Sequence, residues 1–383
     1  MNFELNEEQK DIKKAVREFC EKEFTPEIGL EFDKKEEHPT DLYRKAAELG
    51  FTSLRFPEEY GGQGYGMFEE CLVTEEMCRA DPGLGVAVMS GTFASDIIME
   101  HGTEEQKKKY ITPLCSGKFI SAGAFTEPAH GSDIARMDTT GVKSGGGWVI
   151  NGSKTFITNA PVADFFLVLC QTDPKAEPSY RGQSIIAVDK GTDGIDVTKL
   201  HDKMGIRPAI TGEVGFSDVE APEENLVGGL NRGFYQVMGF FDVSRVPIAA
   251  QAVGIAQGAF ERAFNYAKER EQFGRPIIQF QGVSFKLAEM AMRIEAARGL
   301  TYKAAWLIDQ GKTDAMMTSM AKAFASRMAV EVTDWAIQVH GGYGYMGDYH
   351  VERFHRCAKI TEIYEGTSEI QKLTIMRYLM KRM

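Results

Sequence analysis

Lys359-Ile360-Thr361-Glu362-Ile363-Tyr364-Glu365-Gly366-Thr367-Ser368-Glu369-Ile370-Gln371 lies between two runs of helical periodicity near the end of a 383-residue chain. Gly366 permits backbone angles that a side chain resists, so the break falls at Glu365-Gly366. Thr367 or Ser368 can cap the helix that continues through Ile370, Leu373 and Ile375. The stretch predicts Glu365 as a carboxylate at a turn just before a helix N-terminus, flanked by Ile363 and Tyr364. Apolar neighbours disfavour ionisation and a helix N-terminus favours it, a balance suited to a base that gains and loses a proton. A solvated turn carboxylate is the competing reading, and residue spacing leaves both open.

Outward from this turn, residues 234–270, 280–310, 314–340 and 367–381 are long and amphipathic, which predicts a bundle of about four helices. Residues 119–227 have a different period. Phe165-Phe166-Leu167-Val168-Leu169 and Ser184-Ile185-Ile186-Ala187-Val188 are buried-strand runs. Trp148-Val149-Ile150-Asn151-Gly152-Ser153-Lys154 reads as strand, Asn-Gly turn and strand. The first part of the chain is helical again. Residues 7–24 carry Ile12, Ala15, Val16 and Phe19 at helical spacing, and Pro26 follows as a breaker. Residues 41–49 form a short helix closed by Gly50, residues 68–79 and 84–101 give two more, and 103–110 starts another. The glycine-rich loop around Gly61-Gly62 reads as structural, since no helix-opening Lys-Ser/Thr follows it. This order divides the chain at 1–118, 119–227 and 228–383.

The chain carries 44 basic and 55 acidic residues, a net charge of −11, which argues against a general binder of nucleic acid or anionic membrane. No apolar run approaches membrane-spanning length, and Met1-Asn2-Phe3-Glu4-Leu5 is not a signal peptide, so no targeting segment or membrane span is expected. The six cysteines form no Cys-x-x-Cys pair and read as reduced, mostly buried thiols of a cytosolic or matrix-like compartment; with no targeting segment seen, a cytoplasmic protein is expected. The histidines show no zinc-like spacing and no metal is expected; His350 and His355 read as surface residues. Gly342-Tyr343-Gly344-Tyr345-Met346-Gly347 matches a dinucleotide fingerprint. It follows a helical pattern rather than a strand, which argues against a nicotinamide site.

Five segments, in order, resemble the acyl-CoA dehydrogenase family and its short- and medium-chain branch. They are Pro57-Glu58-Glu59-Tyr60-Gly61-Gly62, Phe125-Thr126-Glu127-Pro128-Ala129-His130-Gly131-Ser132-Asp133, Lys154-Thr155-Phe156-Ile157-Thr158-Asn159, Arg270-Glu271-Gln272-Phe273-Gly274-Arg275-Pro276 and Ile363-Tyr364-Glu365-Gly366-Thr367. The resemblance spans essentially the whole chain. It implies an α+β multidomain fold: an N-terminal helical domain, a central β-barrel or sandwich and a C-terminal four-helix bundle. It also implies FAD, an acyl-CoA substrate, an electron-transferring flavoprotein as acceptor and a homotetramer built as a dimer of dimers.

By the same resemblance Glu365 is the catalytic base. Phe125, Thr126, Ser132, Phe156 and Thr158 contact the cofactor, and so do Arg270, Gln272, Phe273, Gln281, Gln338, Gly341, Gly342, Thr367 and Glu369. Arg270 would reach across a dimer interface to the FAD diphosphate, as a permanently charged fork. His130 stands where relatives often have Gly or Ala. Phe156 stands where many have Trp, which keeps the aromatic cover and loses the indole donor. Substrate contacts are implied for Ser132, Ser179, Asp242, Ser244, Arg245, Glu365 and Gly366. Long-chain and isovaleryl relatives carry the glutamate at the place of Ser244, so here a single one of the two family positions holds a carboxylate.

Met89 and Phe93, four apart on the expected 84–101 helix, would close the acyl tunnel early and favour a short, branched or cyclic acyl group. Asp96 would fall near the same face, either as an internally paired carboxylate or as a second acid/base group. The implied reaction is α,β-dehydrogenation of an acyl-CoA thioester. An enoyl-CoA reductase running the reverse reaction, an acyl-CoA oxidase and a non-catalytic flavin-binding scaffold are the rivals. The usual length of oxidase chains and the intact Glu365 count against the last two.

Overall fold

The computed structural model describes residues 4–382; Met1, Asn2 and Phe3, read above as part of a chain start without a signal peptide, lie outside them. The chain opens with α1 (Glu7–Glu23), α2 (Pro26–Lys35), α3 (Thr40–Glu48), α4 (Met67–Ala80), α5 (Pro82–Met89), α6 (Asp96–His101) and α7 (Glu104–Cys115). Asn6 and Gln9 form a reciprocal capping box at the start of α1, as Thr103 and Gln106 do for α7. Pro26 opens α2 instead of ending order there: at the first helical position its missing N–H is no loss, and Thr25 caps the turn.

The expected 84–101 helix is two helices. A 3-10 turn over Ser90–Thr92 and a left-handed Ala94 (φ 68) separate α5 from α6. Residues Pro82–His101 do reach spanning length and apolarity, a correction to the sequence reading. The stretch is mostly buried inside the protein, is broken in its middle, and carries Asp96 paired to Arg55 at 2.6 Å.

The strands follow: β1 (Ser121–Ala124), β2 (Thr140–Ser144), β3 (Gly147–Thr158), β4 (Phe165–Gln171), β5 (Gln183–Asp189), β6 (Ile195–Leu200), β7 (Thr211–Pro222) and β8 (Leu226–Val227). They make one eight-stranded sheet in the order β6-β7-β3-β2-β4-β5-β8, with β1 parallel to β4. The hairpin turn is Gly145-Gly146, both left-handed, and not Asn151-Gly152. β3 runs straight through Asn151-Gly152 with a shift in its register to β7 there, so that pair makes a bulge.

The last third holds α8 (Gly233–Glu269), a short hairpin of β9 (Glu271–Gln272) and β10 (Arg275–Pro276), then α9 (Gln281–Asp309), α10 (Ala315–His340), α11 (Val351–Ala358) and α12 (Ser368–Arg382). α8 is the axis of the molecule. Gly254 and Gly258 let the backbone of α4 cross it: a Cβ on either would lie 2.3 Å or less from the carbonyl of Glu75 or Arg79.

Four apolar cores result. One lies among α1, α3, α4 and α5, one between the first helices and the sheet, one on the sheet's other face, and the largest in the bundle. All six cysteines are free and buried, and at least one sits in every core: Cys20, Cys115, Cys170, and Cys71, Cys78 and Cys357 in the bundle. Burial raises every one of these thiols above the usual range. His350 and His355 are half-buried rather than surface residues, and His355 Nδ1 shares a hydrogen bond with Thr333 Oγ1 at 3.0 Å.

Candidate active site

Glu365 and Gly366 are consecutive left-handed residues, φ 55 and 86. For a side-chain-bearing residue that conformation costs roughly 1–3 kcal/mol and persists where the surroundings overdetermine it. Here they do. Gln371 Nε2 donates to the carbonyls of Glu365 (3.0 Å) and Gly366 (2.9 Å), and Lys322 Nζ from α10 donates to the Gly366 carbonyl at 2.7 Å. Of the two candidate caps it is Thr367 that serves: its Oγ1 accepts from Ile370 N at 3.3 Å.

The side chain of Glu365 is 9% exposed and meets Ser244 of α8, whose Oγ donates to a Glu365 carboxylate oxygen at 2.5 Å. Burial pushes the Glu365 carboxyl above its ordinary range, against the Ser244 hydrogen bond and the charges of Lys322 and Arg245. The place that is a second possible carboxylate position in relatives thus holds a hydroxyl aimed at Glu365. On the same helix Arg245 is buried and donates to Asp242 at 2.8 Å and to Ser319 at 3.3 Å, while its Nε has no partner among the described residues.

A second group of residues lies on the sheet. Thr126 and Thr158 are half-buried and Ser132 is exposed. Their hydroxyls make no hydrogen bond among the described residues, which leaves three donors free. A second register shift in β3, between Lys154 and Ile157, gives Phe156 a φ of 57 and turns its ring outward, 69% exposed. Beneath this surface Lys154 and Glu127 form a fully buried ion pair at 2.8 Å. Glu127 also accepts from the N–H groups of Asp138 (2.7 Å) and Thr139 (2.9 Å), which ties the loop to the sheet. The Phe125 ring is core, packed on Phe240 and Phe241, so its backbone alone borders the surface that carries Thr126.

Arg270, Gln272 and Phe273 belong to the projecting β9–β10 hairpin. Phe273 is 93% exposed at φ 52, and Arg270 makes no ion pair among the described residues; its guanidinium lies 5.5 Å from the Tyr343 ring centre. Gln281 opens α9, and Gln338, Gly341 and Gly342 end α10, all exposed. A Cβ on Gly341 or Gly342 would meet nothing within 4 Å. The Gly342-to-Gly347 motif is a pair of 3-10 turns after a helix, with no strand before it.

Three family models cover the chain in sequence: "Acyl-CoA dehydrogenase, N-terminal domain" over residues 6–118, the middle domain over 122–219 and the C-terminal domain over 231–380. The chain belongs to the acyl-CoA dehydrogenase family. It is 44% identical to the short-chain specific acyl-CoA dehydrogenase of Clostridium acetobutylicum, over 98% of either chain. It is 40% identical to the Caffeyl-CoA reductase-Etf complex subunit CarC of Acetobacterium woodii, over 99% of this chain and 100% of that one. The solved structure of butyryl-CoA dehydrogenase from Megasphaera elsdenii superposes with a TM-score of 0.95 at 39% identity, covering 99% and 100% of the two chains.

Members of the acyl-CoA dehydrogenase family are FAD-dependent oxidoreductases, and the residues present fit that cofactor. The free hydroxyls, the outward Phe156 ring, the open glycines after α10 and Arg270, without an ion pair among the described residues, would offer donors, an aromatic face, close backbone approach and a cation for a diphosphate.

Some expected contacts are not brought together. Met89 packs with the first helical core, whereas Phe93 lies past the break with non-helical angles and meets Phe240 at 5.4 Å, so the two share no helix face. Asp96 is the paired carboxylate of the two readings, held by Arg55, which also bonds Glu70. Ser179 opens a 3-10 turn and donates to Gln171 at 3.4 Å, and Glu369 is an exposed first-turn residue of α12. Lys322, Gln371 and the Lys154–Glu127 pair were not singled out from sequence. The signal for Lys322 is its setting: one lysine within Thr318, Ser319, Ala321, Ala325 and Ser326, an α10 face of small residues that buries completely.

Proposed function

We propose that the chain oxidises a short acyl-CoA thioester to the 2-enoyl-CoA, with Glu365 as the base that removes the α proton. The reading rests on one observation: a buried carboxylate held on a strained turn whose Glu365 and Gly366 carbonyls both find donors, with a hydroxyl bonded to it from the helix that carries Asp242 and Arg245. Burial raises the carboxyl's proton affinity toward that of a useful base, while Ser244, Lys322 and Arg245 keep the ionised form accessible. The Glu365 N–H makes no hydrogen bond among the described residues, which leaves it available to polarise the thioester carbonyl and so acidify the α carbon.

FAD, when bound, supplies the acceptor for the β hydrogen, which leaves as hydride while the α proton goes to Glu365. Thr126, Ser132, Phe156 and Thr158 would hold its ring and pyrophosphate from within the chain. Arg270, Gln272, Phe273, Gln281, Gln338, Gly341 and Gly342 would serve the cofactor of a neighbouring copy, and Thr367 and Glu369 would lie beside it. Asp242, Ser244, Arg245 and Gly366 would border the thioester and pantetheine, with Ser179 and Ser132 further out and Phe93 and Phe240 at the acyl end. A dimer of dimers, an electron-transferring flavoprotein as acceptor, a cytoplasmic setting and the division at 1–118, 119–227 and 228–383 complete the reading.

The reverse reaction, reduction of a 2-enoyl-CoA, is the second reading. It is favoured by the 40% identity to a subunit of a caffeyl-CoA reductase. Anaerobic bleaching of the flavin against a panel of straight, branched and cyclic acyl-CoA thioesters tests both. Bleaching by saturated thioesters supports oxidation. A flavin that stays oxidised with each of them, and whose reduced form is reoxidised by enoyl-CoA, supports reduction.

A further inference from the structure

Lys322 is a fully buried ammonium in the middle of α10. Its one hydrogen bond among the described residues goes to the carbonyl of Gly366, the residue after Glu365. No carboxylate lies within 4 Å of it, among the described residues. Burying an unpaired cation is expensive, and the usual relief is to give up the proton or to find a compensating charge. The charges that face it are Glu365 on the turn, Arg245 from α8, Glu362 from the 3-10 turn before Glu365 and Glu369 from α12. Glu362 is bonded to Lys359 at 2.6 Å, Glu369 is exposed, and Arg245 is matched by Asp242. Glu365 is the buried carboxylate left to balance it.

We propose that Lys322 is a positioning residue that fixes the Glu365 turn through the Gly366 carbonyl and, as a buried cation, holds the Glu365 carboxylate in its ionised form. The inference rests on the reading of Glu365 as the base. Two effects are separable. The hydrogen bond supports a pair of left-handed residues that the backbone alone resists, and so sets where the carboxylate and the Glu365 N–H point. The charge works on the proton. Burial raises the Glu365 carboxyl and the Lys322 charge lowers it, so removing that charge moves Glu365 to a still higher titration midpoint. The base would then be protonated, and idle, over a wider acid range. Burial in turn lowers Lys322 itself to about 8, so this support is present below that pH, where the ionisation of Glu365 is at stake. Arg245 pushes the Glu365 carboxyl in the same direction with a smaller effect, and its charge is shared with Asp242, so it offsets only part of the loss.

The test uses the FAD-loaded protein and the neutral variants Lys322→Gln and Lys322→Met with the charged Lys322→Arg. The readouts are the infrared carboxylic-acid band of Glu365, assigned by its loss in Glu365→Gln, and the pH profile of flavin reduction by butyryl-CoA. Gln keeps a donor for the Gly366 carbonyl and loses the charge. We expect both readouts to move to higher pH by about one unit or more, which is a tenfold loss of rate on the acid limb, with the rate at high pH largely kept. Met should show the same shift and lose rate at high pH as well. Arg should stay near the parent midpoint. A midpoint unchanged in whichever of Lys322→Gln and Lys322→Met folds overturns the proposal, even if that variant melts earlier, because a purely structural lysine alters stability without moving the titration. Failure of the base assignment is distinct: Glu365→Gln would then reduce its flavin at the parent rate.

Discussion

The Glu365 turn and the Arg270 hairpin are both strained, solvent-adjacent departures from helix, and they resolve in opposite ways. At Glu365-Gly366 a buried and a half-buried left-handed residue follow one another, and the carbonyls of both find donors in the same chain, from Lys322 and Gln371. At Phe273-Gly274 two left-handed residues stand in solvent, with an exposed aromatic ring and, beside them, the Arg270 guanidinium, which has no carboxylate partner among the described residues. The first site is finished by the chain that contains it. The second is left open by it, and the proposed reading gives that hairpin to the cofactor of a neighbouring copy. On the proposed reading, the tuned carboxylate sits where one chain supplies its neighbours, and the cofactor clamp, which tolerates a wetter setting, sits on the surface.

The largest expected effect attacks the finished site. Glu365→Gln keeps size and loses the proton acceptor, and flavin reduction by substrate should fall by ~10²–10⁴-fold with FAD retained. Stopped-flow absorbance measures it, and near-parent reduction would break the comparison at its first term. Next, Gly366→Ala places a Cβ at φ 86 and 2.7 Å from Gln371 Nε2. We expect a loss of about 1–3 kcal/mol in denaturant unfolding together with slower turnover, since the same atoms hold the base. A stable but inactive variant would separate the two roles.

At the hairpin the signs differ. Arg270→Ala should leave unfolding of the apoprotein within about 0.5 kcal/mol of the parent, as surface changes do, yet release FAD or lose oligomeric order on dilution. Analytical ultracentrifugation with flavin absorbance reads both, and a fully loaded tetramer at every concentration would refute it. The smallest effect is Phe93→Ala. It should extend tolerance toward longer acyl groups through Phe240 alone, without help from Met89, and an unchanged chain-length profile would show that α5 to α6 does not close the pocket.

The long regular elements were legible because burial enforces period: α8, α9, α10 and the runs that became β4 and β5 stand within a residue or two of their sequence reading. Glu365 was legible as well, as a carboxylate between a break and a cap. What sequence misread were places where a local signal has two physical outcomes. Asn151-Gly152 suits a hairpin turn or a bulge, and the neighbouring Gly145-Gly146 took the turn. Pro26 ends one helix or starts the next, and Thr25 decided for the latter. The break between α5 and α6 holds Gly91, a single glycine inside an apolar helical pattern and so a weak signal; the left-handed Ala94 beyond it is set by packing against the sheet, where Ser121 Oγ donates to the Phe93 carbonyl at 2.9 Å. Lys322 went unread because a lysine in an amphipathic helix is ordinarily solvent-facing.

The six buried thiols turn the molecule into its own recorder of motion. With at least one cysteine in every apolar core and each thiol held in its unreactive protonated form, the closed protein is silent to an alkylating reagent. Each modification therefore dates an opening event and carries an address: Cys20 for the first helices, Cys115 for their junction with the sheet, Cys170 for the sheet, and Cys71, Cys78 and Cys357 for the bundle. Mass spectrometry of the order in which these positions acquire label would rank the four cores by how often they breathe, with no mutation and no added probe.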